Sequence, residues 1–258
     1  MPGTILWEGK SRLDGKPIVV IATPESSNRK TGDLIQTWIL RQDIHPVEAS
    51  QSGEDYSICG NCPHRGTPGI VKGKPTAIGR SCYVILAFGV SQVWQAYKRG
   101  NYPVATPDML KRLCRGKIIR IGAYGDPVAV PIEVWHNILQ YGTGHTGYTH
   151  QWRNAEPTYA ELCMASVDSP VEQIEANALG WKTFRVKLAD QSINSDEMVC
   201  PASKESTEQR ILNGKPATIT CEQCKACRGN SAHNNIVIDG HGGIAVLANV
   251  QRTLQRIS

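Results

Sequence analysis

The stretch IIRIGAYGDPVAVPIEVWHNILQ, residues 118–140, decides the fold of this chain. Residues 118–121 are rich in β-branched side chains and predict a strand. The Gly125-Asp126 pair that follows predicts a turn. Residues 131–140 predict a helix with proline near its start, where proline is favoured. The stretch therefore predicts one strand followed by one helix.

The same alternation continues in both directions along the chain. Because strands that recur every 20 to 30 residues with helices between them are joined by crossovers, we expect parallel pairing. The sequence predicts a single α/β domain over residues 1–258, most simply a TIM-like or partial β/α barrel with an N-terminal β element over residues 1–57. The further predicted strands are 17–22, 34–40, 145–149, 163–167, 183–188, 236–239 and 244–247, and the further predicted helices are 84–97, 109–114 and 170–178, the last capped by Ser169.

Four cysteines in the C-terminal part predict a metal centre. Cys221, Cys224 and Cys227 form a C-x2-C-x2-C run, and Cys200 precedes them in a Cys-Pro pair. Three thiolates at this spacing surround a small volume, and a remote fourth can complete the ligand set of a [4Fe-4S] cluster. Zinc is the alternative, because four-cysteine zinc sites also use C-x2-C pairs. We call these four residues the later cysteine group, carried by residues 197–230.

Cys59, Cys62 and Cys82, the early cysteine group, predict a second possible metal site, for which His64 is a candidate fourth ligand to zinc. Disulfides are the alternative in an oxidising compartment. Residues 1–12 contain no apolar signal segment, so we expect a cytoplasmic chain with reduced thiols. The isolated Cys114 and Cys163 are expected to be core residues.

The amino-acid composition and the absence of certain motifs limit the classes of function that we expect. A chain of 258 residues, 40% of them hydrophobic, can bury a full core. No apolar run approaches the roughly 20 residues of a spanning helix, so we expect no membrane partner. A net charge of +5 favours nucleic-acid contact only weakly, and a solvated surface explains it equally well. GxSxG, HExxH and Walker motifs are absent from the sequence, which argues against classical hydrolases and nucleoside triphosphatases.

Polar residues follow several predicted strands. In β/α barrels the chemistry lies at the carboxyl ends of the strands. Asp126, His150 and Asp168 are therefore candidate catalytic residues. The alternative is that strand ends are polar in any protein and that these residues serve as turn or capping residues. Lys187, Cys200 and His241 occupy equivalent positions in the sequence.

A succession of motifs resembles one family. It comprises CxxCP from residue 59, the Cys82-Tyr83 pair, RIGAYGDP, GYTHQW, ASVDSPVE, GWKTFRV, CPASKE, TCEQCKACRG and IVIDGHGG. From about residue 59 to residue 243 the chain is similar to a phage-encoded family described as gene-product-eighty-eight-like, whose members resemble radical-SAM-type barrels in layout. The resemblance implies a bacteriophage protein of the host cytoplasm, a partial TIM-like barrel and a cluster on the later cysteine group. It supplies no reaction.

Three functions agree with these patterns. The first is a phage iron-sulfur protein whose [4Fe-4S] cluster has an electron-transfer or redox role. The second is a structural metal scaffold, with iron-sulfur or zinc, that binds nucleic acid or a host protein. The third is a radical-SAM-like enzyme. Radical-SAM enzymes typically use a C-x3-C-x2-C loop, from which the early cysteine group departs, and four cysteines would leave no open iron in the later group.

Overall fold

The computed structural model describes residues 3–24, 31–215, 219–240 and 244–257. Its strands form one large sheet and one separate hairpin. The strands of the large sheet are β1 (Thr4–Lys10), β2 (Pro17–Thr23), β3 (Ile35–Arg41), β6 (Ile118–Tyr124), β7 (Gly144–Thr149), β8 (Met164–Val167), β9 (Thr183–Lys187), β10 (Glu197–Val199) and β11 (Asn235–Asp239), and the hairpin is formed by β4 (Thr67–Val71) and β5 (Lys74–Ile78).

The large sheet is mostly parallel, as predicted. Its strand order is β1-β2-β3-β6-β7-β8-β9-β11-β10. β1, β2 and β3 pair antiparallel and form the predicted N-terminal β element, and every pairing from β3 to β10 is parallel. β1 and β10 lie at opposite edges, and the described residues show no pairing that closes the sheet. The chain is thus a mixed α/β protein with a large, mostly parallel nine-stranded sheet.

The helices largely follow the sequence signals. Ser169 accepts a hydrogen bond from Glu172 N at 3.2 Å, as predicted for the cap of the helix after β8. The helix predicted at residues 84–97 starts later, because residues 86–90 form a π turn whose Phe88 has non-helical angles. The helices are α1 (Pro46–Ser52), α2 (Tyr56–Cys59), α3 (Ser91–Lys98), α4 (Pro107–Cys114), α5 (Ile132–Leu139), α6 (Pro170–Ala178), α7 (Lys204–Leu212), α8 (Cys221–Cys224) and α9 (Ile244–Ile257).

The strand predicted at residues 244–247 is wrong, because this run begins helix α9. A short apolar run fits a strand as well as the first turn of a helix. The helical period is visible only farther along, where Val250 and Leu254 are four residues apart and both are buried.

The two faces of the sheet have different roles. Ile119 and Ile121 of β6 are fully buried in the main hydrophobic core, which also contains Trp135 of α5. Arg120 alternates with them and therefore points to the opposite face, where a cavity lies. None of the described helices is long and apolar enough to span a membrane.

Candidate functional site

A cavity of about 280 Å³ lies against the second face of the sheet. It is lined by residues of β6, β7, β8, β9 and β11 and by the segments that carry both cysteine groups. The cysteines in its wall are Cys59, Cys62, Cys82, Cys200, Cys221, Cys224 and Cys227. The early and later groups, far apart in the sequence, therefore meet at one cavity. Cys114 and Cys163 are fully buried in the core instead, as predicted.

The backbone ties the later cysteine group to the sheet. Cys200 follows β10, and its N–H donates to the carbonyl of Val237 in β11 at 2.8 Å. Thr220 caps α8 in a reciprocal capping box with Gln223, so the turn bearing Cys221 and Cys224 is stable locally. The carbonyl of Cys227 accepts from Gly147 N of β7 at 3.3 Å. Two separate segments thus bring four thiols to one wall.

The environment of the later group includes a phenol and a guanidinium. Burial raises the pKa of the Cys227 thiol, while a hydrogen bond from the Tyr148 hydroxyl lowers it and the neighbouring later cysteines raise it further. Arg120 Nη2 donates to the Tyr83 hydroxyl at 2.7 Å. Burial opposes the charge of Arg120, but Tyr83, Tyr148 and Cys221 together raise its pKa. The group therefore lies beside a permanent positive charge.

The spacing of the thiols bears on which metal group they fit. Four thiolates bound tetrahedrally to one zinc at about 2.3 Å lie about 3.8 Å apart. Within the described residues, no three thiols come within 4.8 Å of one another. An iron-sulfur cubane is larger than one zinc ion and holds its thiolates farther apart. The later group therefore offers the four sulfur ligands that a cubane or a single zinc would take, with a cation beside them.

The hairpin β4–β5 brings the early cysteine group together. Cys59 ends α2, Cys62 precedes a 3-10 turn (Pro63–Arg65), and Cys82 follows the hairpin. The carbonyl of His64 accepts from the N–H groups of Ser81 and Cys82 at 3.1 and 3.0 Å, which returns the chain to its starting point. Burial raises the pKa of the Cys59 and Cys82 thiols, and the nearby Cys62 raises both further.

His150 and Asp168, two of the candidate catalytic residues, are in contact with each other and with His64. His64 Nε2 lies 3.0 Å from Asp168 Oδ1, and His150 Nε2 lies 3.5 Å from Asp168 Oδ2. His64 Nδ1 is 2.7 Å from the Ser81 hydroxyl, so both of its nitrogens contact groups other than the early thiols. The two histidines lower the pKa of Asp168, although burial opposes this. Asp168 faces the cavity, whereas the adjacent Ser169 caps α6.

Asp126 lines the cavity and also caps the turn that follows β6. Its carboxylate is buried and accepts from Val128 N at 3.0 Å, from Thr149 Oγ1 at 2.7 Å and from His150 N at 2.9 Å. Burial raises its pKa, whereas these hydrogen bonds lower it. Asp126 thereby holds the ends of β6 and β7 together and positions His150.

The remaining strand-end residues lie elsewhere. Lys187 forms an ion pair with Asp239 at 2.6 Å and donates to the carbonyl of Leu188. It does not belong to the cavity wall. His241 lies outside the described residues.

Comparison with models of protein families, with curated proteins and with solved structures found no match for this chain.

Proposed function

We propose that this chain is an iron-sulfur protein with a [4Fe-4S] cluster bound by Cys200, Cys221, Cys224 and Cys227. The observation that carries the proposal is that these four cysteines, from two separate segments, line one cavity beside the Arg120 guanidinium. Such a cluster supplies one-electron transfer. Phage origin, host-cytoplasm location and a partial TIM-like barrel belong to the same proposal and rest on the motif resemblance.

The surrounding residues have a defined role in this proposal. Four thiolates place several negative charges close together in a partly buried site, which is costly unless the charges are compensated. The Arg120 guanidinium offsets that charge, and the Tyr148 hydroxyl donates to the Cys227 sulfur. Charge and hydrogen bonds near the sulfurs set the reduction potential of a cluster. An electron-transfer role therefore predicts that both side chains tune the potential.

Metal analysis of anaerobically purified protein tests the proposal. We expect about four irons and about four sulfides per chain and a visible absorption that bleaches on reduction. Cys224→Ala should lose most of that absorption and melt at a lower temperature, because ligand binding also stabilises the fold. Cys114→Ala, a core cysteine away from the cavity, is the control for the loss of a thiol and should keep the absorption. Stoichiometric zinc without colour, or unchanged absorption and melting of Cys224→Ala, would refute the assignment.

A second candidate is a radical-SAM-like enzyme. It is favoured by the early cysteine group, whose three thiols line the same cavity as the later group. Three thiolates can bind a cluster with one open iron. In that case iron and sulfide content would rise to about eight each, and S-adenosylmethionine would perturb the spectrum of the reduced protein. The wild-type spectrum would change on addition, whereas that of Cys62→Ala would not.

If the metal is instead a structural staple, the chain is a scaffold that binds nucleic acid or a host protein. The metal analysis distinguishes this alternative from a redox protein, because the absorption of a purely structural metal need not change on reduction.

A further inference from the structure

We propose that His64, His150 and Asp168 form a separate mononuclear site for a divalent metal ion, with iron(II) as its best match. This site goes beyond the proposed cluster and uses none of its cysteines. Within the described residues, these three side chains offer ligand atoms that all lie within 4.8 Å of one another. Two imidazoles and one carboxylate form the donor set that non-haem iron(II) sites use, with other coordination positions left open.

The distances match a shared ion. Imidazole nitrogen and carboxylate oxygen bind such metals at about 2.1 Å, which places neighbouring ligand atoms about 3.0 to 3.4 Å apart at right or tetrahedral angles. The two histidine Nε2 atoms lie 3.0 and 3.5 Å from the carboxylate oxygens of Asp168. The side chains come from three places in the fold: the turn after Cys62, the end of β7 and the end of β8.

Outer contacts hold all three ligands in place. The other nitrogen of His64, Nδ1, lies 2.7 Å from the Ser81 hydroxyl, so a hydrogen bond there directs Nε2 towards Asp168. The N–H of Asp168 donates to the Glu172 carboxylate at 2.8 Å. The backbone of His150 is fixed by Asp126. Metal-binding histidines usually have such a partner on the second nitrogen, and it orients the ring.

The position of the site gives it access to a ligand. All three side chains line the cavity that the two cysteine groups share. Asp168 and His64 are 2% and 9% exposed, so bulk water reaches them poorly. An ion here would face the cavity with its open positions, where a small molecule with oxygen or nitrogen donors can bind. The competing explanation is that Asp168 only accepts hydrogen bonds from two histidines.

Cobalt(II) is the probe that separates these explanations. It would be added to the anaerobic protein as purified, with any cluster iron and sulfide counted before and after, and bound cobalt measured after desalting. We expect about one cobalt per chain, unchanged iron and sulfide, and ligand-field bands without the near-ultraviolet band of cobalt-thiolate bonds. Because nitrogen and oxygen ligands differ from sulfur ligands in this spectrum, the result holds whether the later cysteine group contains a cluster or zinc.

Variants identify the ligands. Asp168→Asn and His64→Gln should weaken cobalt binding at least 100-fold, and Ser81→Ala, which removes only the outer contact, by roughly 10-fold. His136→Gln, on the exposed face of α5, is the control and should bind as the wild type does. If Asp168→Asn fails to fold, the wild-type cobalt spectrum still decides the question. Cobalt bound through thiolates alone, no bound cobalt at about 1 mM, or equal binding by folded Asp168→Asn and His64→Gln would overturn the proposal.

Discussion

Glu197→Gln should destabilise the protein by about 3 kcal/mol, because it breaks a buried ion pair. Glu197 and Arg185 side chains are both fully buried, with Nε–Oε1 and Nη2–Oε2 distances of 2.6 Å. The same carboxylate accepts from Asn194 N at 2.8 Å. Removing one partner of such a pair typically costs 3 to 5 kcal/mol, since it leaves a buried charge uncompensated. Glutamine keeps the shape and one acceptor oxygen, so we expect the lower end of that range.

The assay is urea unfolding at pH 7, followed by circular dichroism on metal-free protein. The control is Glu208→Gln, which disrupts the exposed Lys204–Glu208 pair on α7 and should cost less than about 0.5 kcal/mol. Replacing Arg185 by Met and Glu197 by Leu together should recover much of the loss, because an apolar pair needs no charge compensation. A loss below about 1 kcal/mol for Glu197→Gln would refute the reasoning.

The same substitution connects stability to the site. Glu197 begins β10, and Cys200 follows the end of that strand. Because the Arg185–Glu197 contact ties β10 to β9 across the intervening β11, metal-loaded Glu197→Gln should lose cluster absorption at a lower temperature than the wild type does.

Two further predictions concern the core and the strand ends. Burial raises the pKa of the Cys114 thiol to about 11. At pH 8 only about one molecule in a thousand therefore carries the Cys114 thiolate. Cys114 and the fully buried Cys163 should resist iodoacetamide in the native protein, react after denaturation, and react faster as the pH rises towards 11. Gly125→Ala should lower the free energy of unfolding by about 1 to 3 kcal/mol more than Gly180→Ala does in the same assay. Both glycines have a positive φ, at 85° and 84°. Only at Gly125 would the added Cβ meet a neighbour, the Ile39 side chain at 2.6 Å. Equal losses of stability in the two variants would show that the contact with Ile39 does not contribute to the destabilisation.

Local signals predicted most of the fold. The strand at 118–121, the helix capped by Ser169 and the parallel pairing follow from side-chain pattern, capping chemistry and crossover length, which are properties of short segments. Whether the sheet closes does not follow from them, because closure depends on whether the two edge strands meet, and no segment contains that information. The error at residues 244–247 has a similar cause, since four apolar residues do not distinguish a strand from a helical turn.

The candidate site was predictable only in part. Strand-end position pointed to Asp126, His150 and Asp168, which all line the cavity, but it could not show that His150 and Asp168 contact each other while Asp126 accepts three hydrogen bonds from backbone and hydroxyl donors. Arg120 and Tyr148 were missed because they lie within strands rather than after them. Their signal was available in the strand sequences: Arg120 is a charged residue in the mostly apolar β6, and Tyr148 is a large aromatic residue among the glycine, histidine and threonine residues of β7.

The early cysteine group shows why spacing in the sequence is an incomplete guide to a metal site. The interval between Cys62 and Cys82 departs from known cluster loops, which weakened the prediction. The structure fills that interval with the β4–β5 hairpin, whose paired ends, Thr67 and Ile78, lie next to each other. A hairpin returns the chain to its starting point whatever its length, so an insertion of this kind adds residues without adding distance between its flanks. A metal site requires only that the segments carrying its ligands end on the same side of one cavity. The antiparallel pairing of β4 with β5 meets that condition for Cys62 and Cys82.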